Sequence, residues 1–259
     1  MSTTAVTSYI GIELRRQLRM FVNVFFMIVL PVMMYLIFGG MQDYATQELW
    51  TGRGNVSAMI AVSMAAYGAI TATSGTAGAA AVEIQQGWGR QLALTPLRQA
   101  QFVLSKTVVG LALAILPVIA VFAAGFITSA RMEPWVVAAC AGLILVGPAL
   151  VFSLYGLAIG LFFRSESAVG AASGIIVVLF FLGNAFMPLS GFLLDMSVFT
   201  PVWGVMQLAL WPLTEGTVTG QDGGLTQYEL WQVLLNVGVW ATVFAVLALL
   251  AARRTTSRR

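Results

Sequence analysis

The sequence predicts an all-α integral membrane protein: six transmembrane helices, an amphipathic helix lying in the membrane plane before them, and short external re-entrant helices before the last. Three observations carry this. The 259 residues are 59% hydrophobic and 9% charged, with a mean hydropathy of +0.90, far outside the range of soluble domains. Six apolar runs reach the roughly 20 helical residues that a bilayer core requires. The thirteen basic residues also divide unevenly between the two sides under one topology.

Taken in order, residues 8–20 place Ile10, Leu14, Leu18 and Phe21 at helical spacing while Arg15, Arg16 and Arg19 point elsewhere, the pattern of a helix at the inner interface. A basic flank that merely sets topology would carry the same charges. The next apolar run is long and lacks a small-residue cleavage site, so it is expected to stay as a span rather than be removed as a signal. The six spans are expected near residues 21–38, 56–82, 107–128, 135–163, 168–187 and 230–251. With both termini inside, Arg15, Arg16, Arg19, Arg90, Arg98, Lys106, Arg164, Arg253, Arg254, Arg258 and Arg259 are cytoplasmic, and only Arg53 and Arg131 are outside. That inward bias of Lys and Arg fixes the orientation. Pro31, Pro117 and Pro148 fall within spans and are expected to bend them.

Residues 87–106, GWGRQLALTPLRQAQFVLSK, interrupt the apolar chain with Arg90, Arg98 and Lys106. An arginine at mid-membrane costs roughly 2.5 to 3.5 kcal/mol on insertion scales, so this segment belongs in the cytosol. Ile84, Trp88 and Leu92, four apart, mark one apolar helical face. Thr95 and Pro96 then supply an N-cap and a first-turn proline for a new helix. Gly87 and Gly89 cost a helix about 1 kcal/mol each relative to Ala, which a tightly packed docking surface would justify. An amphipathic loop anchored at the lipid headgroups by Trp88 gives the same pattern.

The order Glu83, Gly87, Leu92, Thr95, Pro96, Lys106 resembles the membrane domains of type-2 permeases of ATP-binding-cassette exporters. The resemblance extends over the whole chain, which it implies is a single transmembrane permease domain, residues 1–259. It implies that residues 84–94 are a cytosolic coupling helix seated in a groove of a separate ATPase, with Glu83 at its joint with the second span. Glu83, Ile84, Gly87, Trp88, Arg90, Leu92, Thr95 and Pro96 would then couple the permease to ATP. The Gly-Trp-Gly opening departs from the family's more acidic, polar run.

The chain supplies no motor of its own. It has no G-x-x-x-x-G-K-[ST] loop, and its one lysine, Lys106, follows Val-Leu-Ser. The absence of histidine and the single cysteine, Cys140, exclude disulfides within the chain, Cys/His metal sites and histidine acid-base chemistry. Of the ten acids, Glu13, Glu83 and Glu166 are expected on the cytosolic side and the other seven outside or at span ends, so a proton relay at membrane depth lacks its groups. No catalysis and no cofactor is expected here, with ATP and Mg held by the partner.

Ser63, Tyr67, Thr71, Ser74 and Gly78 form one stripe of the second span, read first as a helix-packing seam and second as a substrate wall. Phe180, Phe181 and Asn184 lie on the fifth span, and the resemblance implies that these two spans face a central cavity. Such a wall suits a hydrophobic or amphiphilic cargo. Residues 188–227 hold apolar runs too short to span, expected as re-entrant helices, with Pro188, Pro201 and Trp203 shaping a cap over the exit; an interfacial belt anchored by Trp203 and Trp211 is the plainer alternative.

The sequence is therefore read as the permease subunit of an ATP-driven exporter in a bacterial cytoplasmic membrane, consistent with its twelve arginines to one lysine. Its expected partners are two copies of a cytosolic ATPase, a second permease (itself or a paralogue), membrane lipid and a hydrophobic drug, antibiotic or lipid substrate, with no nucleic acid. A membrane scaffold recruiting a cytosolic protein and an ion-coupled secondary carrier are the rivals.

Overall fold

The computed structural model describes residues 3–88, 99–221 and 223–256. An N-terminal helix, α1 (Thr3–Arg19), starts earlier than the expected residue 8 and leads into the first span, α2 (Phe21–Gly40). Pro31 lacks the N–H that would bond residue 27, and α2 takes π-helical turns at Phe25–Val29 and Leu36–Gly40, on either side of the stretch that contains it. The second span, α3 (Val56–Glu83), opens on Asn55, whose side-chain oxygen accepts from Ala58 N at 3.0 Å. α4 (Gln99–Ile127) is the third. α5 (Pro134–Val146) and α6 (Pro148–Phe163) are the two halves of the fourth, broken at Gly147 and Pro148. α7 (Glu166–Leu182) follows, and α10 (Leu230–Thr256) closes the chain.

Among the described residues five helices are long and apolar enough to cross a membrane, six if a bent pair counts as one span. The expected fifth span, 168–187, instead ends as a 17-residue helix at Leu182. Asn184 turns the chain there with φ 57°, and its side-chain oxygen accepts from Leu189 N at 2.6 Å. Beyond it, α8 (Gly191–Ser197) and α9 (Pro201–Thr214) meet at 83°. A hairpin of β1 (Thr217–Thr219) and β2 (Leu225–Gln227) leads to α10. Asn236 of α10 locks the bend by donating to Val198 O and Thr200 O at 2.7 and 3.2 Å.

The bundle is built around α3. Of its apolar window 78% is buried, against 17% for α2 and 22% for α10. A helix buried on every side needs small residues, and α3 supplies them. A Cβ on Gly156 of α6 would lie 2.0 Å from Ser74 O, and one on Gly160 would lie 2.3 Å from Gly78 O. The two helices thus touch backbone to backbone across a pair of small-x-x-x-small motifs. On another face, Gly68 makes room for Pro117 of α4 and the carbonyl of Met27.

The two ends of the bundle are closed differently. At the end remote from α1, the Tyr35 hydroxyl lies 2.8 Å from both Ser57 Oγ and Thr128 Oγ1. Ser129 Oγ lies 2.9 Å from Ser57 Oγ, and Asn55 Nδ2 donates to Ser129 O at 2.7 Å. Neutral hydrogen bonds therefore join α2, the start of α3 and the end of α4. At that end too, Thr51 Oγ1 donates to Leu213 O at 2.8 Å and Arg53 Nη1 to Pro212 O at 3.2 Å, capping carbonyls that α9 leaves open.

Candidate functional site

At the opposite end, four charged side chains from three elements meet. Glu13 and Arg16 lie three apart on α1, the spacing that puts two side chains on one helical face. Glu83 is the last residue of α3, and Lys106 sits in the first turns of α4. Arg16 holds Glu13 through two bonds, Nε to Oε2 at 3.0 Å and Nη2 to Oε1 at 2.7 Å, and reaches Glu83 Oε1 at 2.9 Å. Lys106 Nζ lies 2.8 Å from Glu13 Oε1 and 2.7 Å from Glu83 Oε2. Gln17 Nε2 also donates to Glu13 at 3.2 Å, and Asn23 Nδ2 to Gln17 at 2.7 Å.

Two acids and two bases cancel, so the cluster is neutral although three of its four side chains are largely out of water. The side chains of Lys106, Glu13 and Glu83 are 4%, 7% and 13% exposed, whereas Arg16 is 49% exposed. Lys106 is therefore the buried keystone and Arg16 the solvent-facing brace. The aromatic rings of Phe102 and Tyr9 lie 5.6 and 6.0 Å from the ammonium, adding cation–π attraction. Burial pushes the Glu13 carboxyl up, but hydrogen bonds from Arg16, Lys106 and Gln17 outweigh it and hold the group below its ordinary value. The Arg16 guanidinium is pushed up, first by its bond to Glu13.

Removing one partner from such a pair strands the others away from water, at a cost of about 3–5 kcal/mol. The cluster holds no nucleophile or base positioned on a substrate. It links three helices: Glu83, at the end of α3, is ion-paired to Arg16 of α1 and to Lys106 of α4, so a displacement of Glu83 would act on both.

The backbone shows where such a displacement would enter. Glu83, where the resemblance places the joint, is the last α-helical residue of α3, and a π-helical turn, Ile84–Trp88, which includes Gly87, follows it directly. A π-turn carries more residues per turn than an α-helix, so side chains here are set at a different angular spacing from those of α3. Gln85 Nε2 donates to Leu161 O at 2.8 Å, tying the turn to α6. Arg90, Leu92, Thr95 and Pro96 lie outside the described residues.

The substrate-path candidates scatter. Ser63, Thr71 and Ser74 donate to Met59 O, Tyr67 O and Thr71 O of their own helix at 3.2, 2.8 and 3.3 Å, and Ser74 stands in the α3–α6 seam. Tyr67 and Phe180 are buried and stack edge to face at 5.2 Å, with Phe186 against both at 5.3 and 4.9 Å. Phe181 is 42% exposed and touches Phe186, while Asn184 serves the turn. Of the cap residues, Pro188 is exposed, Pro201 opens α9, and Trp203 is fully buried against Tyr228 at 4.9 Å. Sequence reasoning missed Glu13 and Arg16. The available signal was an acid and a base three apart on the N-terminal helix, opposite the chain's single lysine.

A sequence model of the family described as ABC-2 type transporter matches residues 5–194. That match runs from α1 into α8 and contains all four residues of the cluster. No curated protein matches the chain.

Proposed function

The chain belongs to the ABC-2 type transporter family, and on that premise we propose that it is the permease subunit of an ATP-driven exporter. Its termini and ion cluster face the cytoplasm of a bacterial cell, and two copies of a cytosolic ATPase dock at residues 84–94. The permease pairs with itself or a paralogue, and the ATPase, not this chain, holds ATP and Mg. The cargo is a hydrophobic or amphiphilic drug, antibiotic or lipid. The inward bias of basic residues, eleven to two, supports the orientation. The apolar and aromatic surroundings of Tyr67 and Phe180 suit such a cargo better than a strongly charged one.

One observation carries this reading: Glu83, directly before the segment assigned to the ATPase, is ion-paired to both α1 and α4. Closure of two ATPase subunits would pull residues 84–94 of the two permeases together. Glu83 follows, and with it Lys106 and the helix carrying Glu13. The work of closure thus reaches three helices through one residue, biasing a two-state bundle from inward-open to outward-open.

The test is reconstitution of the permease with its ATPase in vesicles, reading ATP-dependent cargo export. Leu92→Asp is expected to lower ATPase co-purification about tenfold or more while leaving membrane insertion unchanged, because it places a charge on an apolar docking face. Undiminished co-purification and ATP turnover in that variant would remove residues 84–94 from the interface. Flux that continues without the ATPase and collapses with an ion gradient would establish a secondary carrier instead.

A further inference from the structure

Arg53 and Arg131, the two basic residues that the charge split sets apart from the other eleven, line one cavity at the far end of the bundle. It has a volume of about 240 Å³ and is walled by the loop before α3 and the loop before α5, with Glu48 and Glu133 in its lining. This rim is built. Asn55 N donates to Arg131 O at 3.1 Å, Glu133 N to Arg53 O at 3.2 Å, and Asn55 Oδ1 accepts from Arg131 N at 3.0 Å. A Cβ on Gly54 would lie 2.6 Å from Arg131 O, so the two loops close this tightly only because residue 54 is glycine.

The two arginines are not equivalent. Arg53 is spent on structure: it donates to Pro212 O, pairs with Glu215 and lies 5.2 Å from the Trp135 ring centroid. Arg131 is fixed only through its backbone. Among the described residues its guanidinium forms no ion pair, although two carboxylates line the same cavity. Glu133 accepts a bond from Trp135 Nε1, and Glu48 stands in an exposed stretch of the rim. The cavity lining thus carries the Arg131 guanidinium and the Glu48 and Glu133 carboxylates with no ion pair between them among the described residues.

Its volume lies below the roughly 300–1,000 Å³ of sites that enclose drug-sized molecules, so it suits a headgroup better than a whole cargo. The surroundings belong to a membrane interface. Trp50 and Trp135 are 41% and 51% exposed, and Phe126 and Ile127, just before Arg131, are 49% and 84% exposed. We propose that this cavity binds the zwitterionic headgroup of a phosphatidylethanolamine-type lipid, with the phosphate on Arg131, the primary ammonium between Glu48 and Glu133, and the acyl chains along the apolar end of α4. The inference does not depend on what the protein transports.

The test is calorimetric titration of the delipidated full chain in detergent with four probes: dihexanoyl phosphatidylethanolamine, the choline and glycerol analogues, and free phosphoethanolamine. The ethanolamine lipid is expected to bind tightest. Arg131→Gln is expected to weaken it about tenfold or more, the worth of a charge-assisted phosphate contact, while thermal unfolding is unchanged because the guanidinium supports nothing else. Glu48→Gln with Glu133→Gln should remove the preference over choline and glycerol headgroups. Equal binding by Arg131→Gln, or stronger binding of the glycerol lipid than of the ethanolamine lipid, would overturn the site. Free phosphoethanolamine binding as tightly as the lipid would overturn the assignment to a membrane lipid.

Discussion

The two ends of the bundle solve the same problem with opposite chemistry. At each, the second and third spans must be held to what precedes them. The far end uses Tyr35, Ser57, Thr128, Ser129 and Asn55, all neutral, with the Tyr35 hydroxyl held between Ser57 and Thr128. The near end uses Glu13, Arg16, Glu83 and Lys106, all charged, with the two long basic side chains each reaching both carboxylates. A hydroxyl moved by an ångström or two loses its bond, whereas Lys106 can release one carboxylate while keeping the other and leave no bare charge. The near end can therefore shift by a small displacement without stranding a charge, while the far end holds its position. α3 would then swing about the Ser57 end when Glu83 is pulled.

The comparison breaks first at its most loaded residue. Lys106→Met leaves two carboxylates at the near end with Arg16 alone, and is expected to destabilise the protein by about 3–5 kcal/mol, read as a loss of folded protein in thermal and denaturant unfolding. Adding Glu13→Gln should recover part of that loss, since it removes one stranded charge. No recovery would mean that Lys106 acts through packing against Phe102 and Tyr9.

The far end should be less sensitive. Tyr35→Phe removes one hydroxyl from a neutral network and is expected to cost about 1 kcal/mol, with little dependence on salt. A loss as large as that of Lys106→Met would abolish the distinction between the ends.

The smallest effect separates the ends by titration. The folded state holds the Glu13 carboxyl below its ordinary value of 4.5, so its contribution is complete above that value and disappears as the pH falls through the lower folded value. Stability should fall on acidification below about 4.5 in the wild type and less so in Glu13→Gln, while Tyr35→Phe keeps the wild-type slope. Parallel acid profiles for wild type and Glu13→Gln would place the acid-sensitive group elsewhere.

Fold class was legible because hydropathy and the uneven basic residues are averages over many positions. The Ser74 and Gly78 seam was legible too, since small residues at four-residue spacing have few uses in a membrane helix. The early end of α7 was not. Nothing in the apolar run 168–187 says that Asn184 will take a left-handed turn, because tertiary contacts with residue 189 decide it. The ion cluster escaped for a related reason: Glu13 and Lys106 are 93 residues apart, and sequence spacing is informative only within one helix. The continuation of α3 into a π-turn likewise leaves no compositional mark.

The contact of α3 with α6 has a consequence for how force travels. Where Gly156 and Gly160 meet Ser74 and Gly78, no side chain lies between the two main chains, so no compliant layer can absorb a push. With Gln85 bolted to Leu161 below, the pair behaves as one rigid beam. Two residues, Arg164 and Ser165, connect that beam to α7, which carries Phe180 against Tyr67. A shove delivered at the base is thereby passed, with little slack, to the aromatic rings midway up.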